Sequence, residues 1–268
     1  MIDQGKKNLL GVAISAVDYE YAVTRILADA KAGRRCATTA LAVHGVITGA
    51  LDRVHRYRLN TFDLVTPDGQ PVRWALNLLH GTKLSDRVYG PKMTLLVCEK
   101  AAEQGIPIYL YGSKSEVLEK LRDRLQHLCP GLKIAGAQPS EFRLLRFEEQ
   151  VLAADRIRDS GAQILFVGLG CPRQEVFTYE LSRYLNMPVL AVGAAFDYHS
   201  GLLSEPPDIL QRLGLQWLYR LVQEPGRLWR RYLVTNSQFV GLVLVQLFRV
   251  WRPKLDDVDP PVADVRFG

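Results

Sequence analysis

Cysteine is scarce in this chain and never closely paired: Cys36, Cys98, Cys129 and Cys171 lie far apart, with no CxxC among them. That excludes a zinc ribbon or a disulfide-stapled scaffold and favours a reducing compartment. A membrane-spanning run is also lacking. The apolar stretch Phe239–Phe248 has only ten residues and includes Gln246, against the roughly 20 that a spanning helix needs. There is no internal repeat and no low-complexity linker before Leu255. The single Asp-x-Asp, Asp257 to Asp259, sits in the acidic, proline-containing end of the chain, so no preorganised divalent-metal site is expected.

What remains is an ordinary globular composition, with 48% hydrophobic and 23% charged residues over 268 positions. Disorder is excluded as the main state, and the length suffices for a large buried core. The net charge of +6 is localised. From Arg212 to Lys254 eight basic residues face Glu224 alone, so the body is near neutral and the C-terminal segment is basic, which points to an anionic partner.

Short apolar or β-branched runs alternate with helix-like stretches, the pattern of an α/β protein with a Rossmann-like parallel sheet and flanking helices. Strands are expected at 9–14, 36–39, 63–66, 107–112, 132–136, 163–168 and 188–193. Helices are expected at 18–32, 43–58, 70–80, 91–104, 115–128, 147–160 and 172–185. Lys6 and Lys7 ahead of Leu9–Val17 have the outline of a secretory leader. The run is short, however, contains Ser15, and meets Asp18 and Glu20 at once, so it reads as a buried strand leading into a helix. Three units follow: a Rossmann-like α/β core over 1–204, a basic helical appendage over 205–254 and a disordered acidic tail over 255–268. Trp229, Arg230, Arg231, Arg249, Trp251 and Arg252 flank the apolar centre of the appendage. That arrangement suits a helix lying in the interface of an anionic membrane, the alternative being a helix docked on the body or on a second subunit.

Four stretches carry possible chemistry. Thr66-Pro67-Asp68-Gly69 ends a strand in a sharp turn and leaves a carboxylate at the carboxyl edge of the sheet, where open α/β folds bind ligands; alone, Asp-Gly is only a turn. Phe166 to Glu175 runs from a strand through Gly168 and Gly170 into a helix starting near Pro172, a seat for a diphosphate on free N–H groups. Its missing third glycine disfavours a nicotinamide or flavin. Val192 to Gly201 brings Asp197 after a small-residue loop, as a ribose or base contact or a plain cap, with His199 a polar loop residue. Asp86 to Pro91 offers Arg87 for a leaving diphosphate, or for a surface ion pair.

Taken in order, Thr66–Gly69, Asp86–Gly90, Tyr109–Gly112, Val167–Glu175, Gly193–Asp197 with Ser200-Gly201, and Gln216–Arg220 through Glu224-Pro225 and Arg227 resemble the WecG/TagA/CpsF glycosyltransferases, glycosyltransferase family 26. The resemblance extends from about Leu10 to Leu233. It implies a peripheral enzyme on the cytoplasmic face of a bacterial inner membrane, moving a sugar with inversion from a UDP-sugar to a polyprenyl-diphosphate-linked sugar. It assigns Asp68 as general base, with Arg87 and Thr39 in the catalytic group. Gly112, Gly168, Gly170, Gln174, Gly193 and Asp197 are assigned to the donor, with Gln174 near its diphosphate and Asp197 at the nucleoside. Arg220, Arg227, Arg230 and Arg231 are expected at the acceptor diphosphate or membrane. No cofactor, metal or nucleic acid is implied, since the UDP-sugar is a substrate; a homo-oligomer is a further expectation. Leu41 stands where the family carries Asn after Thr39, and Pro206-Pro207-Asp208-Ile209 where it carries Ala-Pro-x-Trp. These departures favour UDP-glucose and exopolysaccharide synthesis, with UDP-N-acetylmannosamine or its uronic acid as the alternative donor. The competing class is a non-catalytic nucleotide-sugar binding protein, which would not need Asp68; a dehydrogenase lacks its ribose-binding acid.

Overall fold

In the computed structural model, which describes residues 1–268 apart from the side chain of Arg227, the chain opens with an antiparallel hairpin of β1 (Asp3–Leu9) and β2 (Val12–Val17). The single strand expected over 9–14 is thereby corrected to two. Leu10 and Gly11 join them with φ of 56° and 87°, the left-handed pair that a two-residue hairpin loop demands. β2 is buried along its whole length and passes into α1 (Tyr19–Lys31), whose first turn is capped by Asp18 accepting from the Tyr21 N–H at 2.8 Å.

The main sheet has six strands, β3 (Cys36–Leu41), β4 (Leu64–Pro67), β5 (Ile108–Gly112), β6 (Ile134–Gln138), β7 (Ile164–Gly168) and β8 (Pro188–Ala191). All are parallel, in the order β4-β3-β8-β7-β5-β6, as expected for a Rossmann-like fold. Alternate residues face opposite layers. Leu64, Leu110, Phe166 and Leu190 pack against α1, α5 (Gly90–Gln104), α6 (Ser115–Leu128) and α9 (Ala195–His199). On the other face Ala37 and Val65 meet α2 (Val43–Leu51), α3 (Arg53–Thr61) and α4 (Gln70–His80), while Tyr111, Val167 and Val189 meet α7 (Phe147–Asp159) and α8 (Arg173–Leu181). Burial on both faces explains why the strands read as continuous apolar runs. The helix expected over 43–58 is interrupted: the Asp52 carboxylate accepts from the N–H groups of Val54 and His55, both at 2.9 Å, ending α2 and starting α3.

Three helices complete the chain, α10 (Asp208–Arg212), α11 (Gln216–Gln223) and α12 (Pro225–Leu247). α12 lies on α2 and α4 and buries Leu228, Phe239 and Val243. Its far end is tied to the hairpin, because Gln246 donates to the Asn8 carbonyl at 3.0 Å and accepts from the Leu10 N–H at 2.9 Å. No helix among the described residues is long and apolar enough to cross a membrane.

The stretch 255–268, expected to be disordered, has no helix or strand of its own, yet it lies along the body. Its acidic residues find fixed cations: Asp257 and Asp259 pair with Arg53 at 2.6 and 2.9 Å, and Asp264 with Arg183 at 3.4 Å. Phe267 bridges to Leu144, and the Gly268 carbonyl accepts from the Phe142 N–H and the Ser140 hydroxyl. Composition alone carried no information about those partners.

Phe239 is the one aromatic side chain of α12 buried against the core layer, at 4% exposure. Phe239→Ala should cost about 3 kcal/mol of docking free energy. Amide exchange should then accelerate across 225–247 while the sheet stays protected; equal acceleration in both would show that α12 does not dock as a separate layer.

Candidate functional site

The carboxyl ends of β3, β4, β5, β7 and β8 open into a cavity of about 830 Å³, closed on its far side by α11 and α12. This is the position at which open parallel sheets bind ligands. Registers such as Leu41 opposite Pro67 and Gly112 opposite Gly168 bring the strand ends level, so the loops that follow them share one floor.

Asp68 follows β4 directly. Its main-chain N–H donates to the Leu41 carbonyl at 3.2 Å, and its Oδ1 accepts from the Gly90 N–H at 2.6 Å. A side chain on Gly90 would be tight there: a Cβ would stand 3.3 Å from that same Oδ1 and 3.1 Å from Ala40. Desolvation pushes the Asp68 pKa above the ordinary carboxylate value, against the opposing pull of Arg87, the Gly90 N–H and Arg220. The result is a carboxylate shielded from bulk water and held ready to take a proton.

Arg87 is 4% exposed, and its guanidinium stacks on the Tyr89 ring at 4.1 Å. It donates to the Asp68 carbonyl at 3.2 Å, to Gln216 Oε1 at 2.6 Å and to Gln211 Oε1 at 2.8 Å. All three acceptors are uncharged, so no hydrogen-bonded carboxylate neutralises the cation. Gln216 also donates to the Tyr89 hydroxyl at 2.7 Å, and Gln211 to the Pro206 carbonyl at 2.9 Å. The helices after residue 205 are thus stitched to the core at a residue that also bonds the backbone of the candidate base.

The loop Gly168 to Cys171 leads into α8, and Ala42 leads into α2. Neither helix has a side-chain cap, and residues of both opening turns, Val43 to Gly45 and Gln174 to Glu175, line the cavity, which puts the positive dipole ends at its wall; the Gln174 N–H is itself taken by the Gly170 carbonyl at 2.9 Å. Gly170 has a φ of 77° that favours glycine. Gly168 and Gly112 act by close approach: a Cβ on Gly168 would meet the Phe196 ring at 2.5 Å, and one on Gly112 would meet the Gly168 backbone at 2.7 Å.

The cavity gathers Asp68, Arg87, Gly168, Gly170, Gln174, Gly193, Asp197, Arg220 and Arg231 of the expected set. Arg220 lies over the Tyr198 ring at 5.8 Å and donates to Glu224 at 3.2 Å. Three residues are not on its wall. Thr39 is fully buried beneath it and donates to Glu175 at 3.1 Å; Gly112 lies behind Gly168; Arg230 is exposed away from it. The side chain of Arg227 lies outside the described residues.

The residue reading missed several contributors. His44 lines the cavity, and burial together with the Arg231 charge lowers its pKa to about 4, which keeps it neutral at pH 7. A lone histidine in the apolar stretch of α2 carries no sequence signal. Gln211 stands outside every motif of the sequence, and Glu175 closes the Val167–Glu175 stretch as an ordinary first-turn acid.

Because Arg87 and Arg220 favour the ionised form of Asp68, removing either cation should raise its pKa further. The acid limb of kcat/KM should lie above the ordinary carboxylate range in the native enzyme, and Arg87→Leu should move it to still higher pH. A pH-rate profile checks both; an unmoved limb would show that another group titrates.

The profile of the Glycosyl transferase WecG/TagA/CpsF family matches residues 7–253. The chain is also 32% identical over 188 residues to the N-acetylglucosaminyldiphosphoundecaprenol N-acetyl-beta-D-mannosaminyltransferase of Bacillus spizizenii, an alignment covering 69% of this chain and 70% of that one. With a parallel-sheet core that collects the family's motif residues around a single cavity, the chain belongs to the WecG/TagA/CpsF family of glycosyltransferases.

Proposed function

We propose that the protein transfers N-acetylmannosamine, with inversion, from UDP-N-acetylmannosamine to N-acetylglucosamine carried on undecaprenyl diphosphate. The observation that carries this reading is the similarity, over 69% of this chain, to the N-acetyl-beta-D-mannosaminyltransferase of Bacillus spizizenii. It supports the alternative donor over the UDP-glucose that Leu41 and the Pro206-Pro207 pair favoured. Those departures concern single contacts, whereas the relative is similar over most of the chain.

In this reading Asp68 takes the proton of the attacking acceptor hydroxyl as its oxygen bonds to C1 of the donor sugar. The bond from C1 to the β-phosphate oxygen breaks, and its electron pair leaves with UDP. Arg87, Arg220 and the N–H groups opening α2 and α8 stabilise the charge that grows on the diphosphate. One carboxylate suffices, because the nucleophile is an alcohol delivered by the acceptor rather than a water needing its own base.

Contact with an anionic membrane is part of the same proposal. Val222, Trp229, Leu233, Val240 and Phe248 are each more than half exposed on or beside α11 and α12. Arg230 lies among them in the sequence, and Arg249 and Arg252 follow directly. Such a surface suits the headgroup region of a bilayer and brings the cavity to the depth of a lipid-linked diphosphate.

UDP release should be measured in detergent with EDTA, offering UDP-N-acetylmannosamine or UDP-glucose with polyprenyl-diphospho-N-acetylglucosamine. Release with the first donor only is expected. Asp68→Asn should lower turnover by about 10²–10⁴-fold while UDP binding is kept. Turnover with UDP-glucose alone would return the donor to the other reading, and an unaffected Asp68→Asn would remove the base.

A further inference from the structure

Glu175 is 0% exposed in the first turn of α8. Its Oε1 accepts from Thr39 Oγ1 at 3.1 Å and from Gln174 Nε2 at 2.9 Å. A carboxylate oxygen only accepts, so Gln174 has to turn its NH₂ towards Glu175 and its carbonyl oxygen the other way. That oxygen has no partner although Gln174 is 2% exposed. The amide borders Gly193 with both atoms, Oε1 at 3.5 Å and Nε2 at 3.6 Å from where a Cβ would stand, on the cavity wall where β8 ends. A buried acceptor left bare in this way requires a donor.

We propose that Glu175, held by Thr39, fixes the polarity of the Gln174 amide so that Gln174 Oε1 accepts a hydrogen bond from a hydroxyl or N-acetyl N–H of the donor sugar. Thr39 and Glu175 are positioning residues, and Gln174 is the contact. The inference rests on the reading of this cavity as a nucleotide-sugar site, and it directs Gln174 Oε1 to a hydrogen-bond donor on the sugar rather than to the diphosphate, whose oxygens only accept. Thr39 and Gly193 belong to β3 and the end of β8, next to the β4 edge that carries Asp68, so the bare oxygen lies on the side of the cavity that holds the candidate base and would receive the transferred sugar.

Calorimetric titration of the full chain with UDP and with whichever UDP-sugar the native enzyme turns over tests this. Gln174→Ala should weaken UDP-sugar binding by about tenfold, the loss of one hydrogen bond to a buried acceptor, and leave UDP binding unchanged. Glu175→Gln keeps the volume but lets the neighbouring amides pair either way round, so KM for the UDP-sugar should rise while UDP affinity and the melting temperature stay level. Equal losses for UDP and UDP-sugar in Gln174→Ala would place the contact on the nucleotide and overturn the proposal. A lower melting temperature in Glu175→Gln with unchanged KM would make Glu175 structural and overturn its positioning role. If the native protein binds no UDP-sugar, the donor-site reading fails first and takes this one with it; native binding without discrimination by the variants rejects this proposal alone.

Discussion

A single carboxylate placed where water is scarce sets the terms for the rest of this molecule. Asp68 sits at the end of β4 with its pKa raised by desolvation, and an ionised group so placed is costly unless donors and a cation face it. The Gly90 N–H and the Arg87 guanidinium meet that need. Arg87 has the same problem with opposite sign, and its solution lies outside the core: two glutamines that flank and open α11, together with the Tyr89 ring, hold it. The C-terminal helices are therefore part of the electrostatics of the site. Any event that lifts them from the core removes the oxygens that hold Arg87 and loosens the environment that tunes Asp68.

α12 meets three environments, two of them in succession along its inner face. Arg231, Tyr232, Thr235 and Asn236 line the cavity over its first half. Phe239 and Val243, on the same face by their spacing, pack on α2 and the hairpin layer over its second. Trp229, Leu233 and Leu244 remain outward and exposed. One sequence of 23 residues thus serves as cavity wall, core layer and outer apolar stripe. That division explains why its hydrophobic centre is too short for a membrane span while its overall pattern is more apolar than a solvated surface helix needs. In the proposed reaction these environments are joined by one requirement: a lipid-linked acceptor has to bring its diphosphate from the bilayer to Asp68 without crossing open water.

Much of this was legible in the sequence, and for identifiable reasons. The parallel sheet announced itself because strands buried on both faces are apolar throughout, and Pro67-Asp68-Gly69 and Gly168 to Gln174 marked the strand ends where ligands bind. What stayed hidden depends on partners distant in the chain. β1 is polar along its exposed length, so the hairpin rests on the left-handed Leu10-Gly11 pair rather than on any apolar alternation. Asp52 reads as one more helical residue until its carboxylate is seen to cap α3. Thr39 carries the same letters whether it touches substrate or lies beneath it; only Glu175, 136 residues later, decides. The tail shows the same limit in reverse, since acid and proline content describes a free chain and cannot register Arg53 or Arg183 waiting on the body.

The polar groups of the cavity separate by hydrogen-bonding sense, and that separation argues for how a nucleotide sugar would lie in it. Donors that cannot accept come from Arg87, Arg220 and the opening turns of α2 and α8. A diphosphate, with acceptors only, matches them. Acceptors left bare or shielded are Asp68 Oδ atoms and Gln174 Oε1, which match hydroxyl and amide hydrogens. A sugar whose C1 lies between these two sets would present its leaving oxygen to the cations and its hydroxyls to the acceptors, with no group facing one of its own kind. Reversal of the ligand would set phosphate oxygens against Asp68 and Gln174, each unmatched contact costing at least as much as a lost hydrogen bond. In the proposed pose the orientation would be selected as much by what the wrong pose leaves unpaired as by what the right one satisfies.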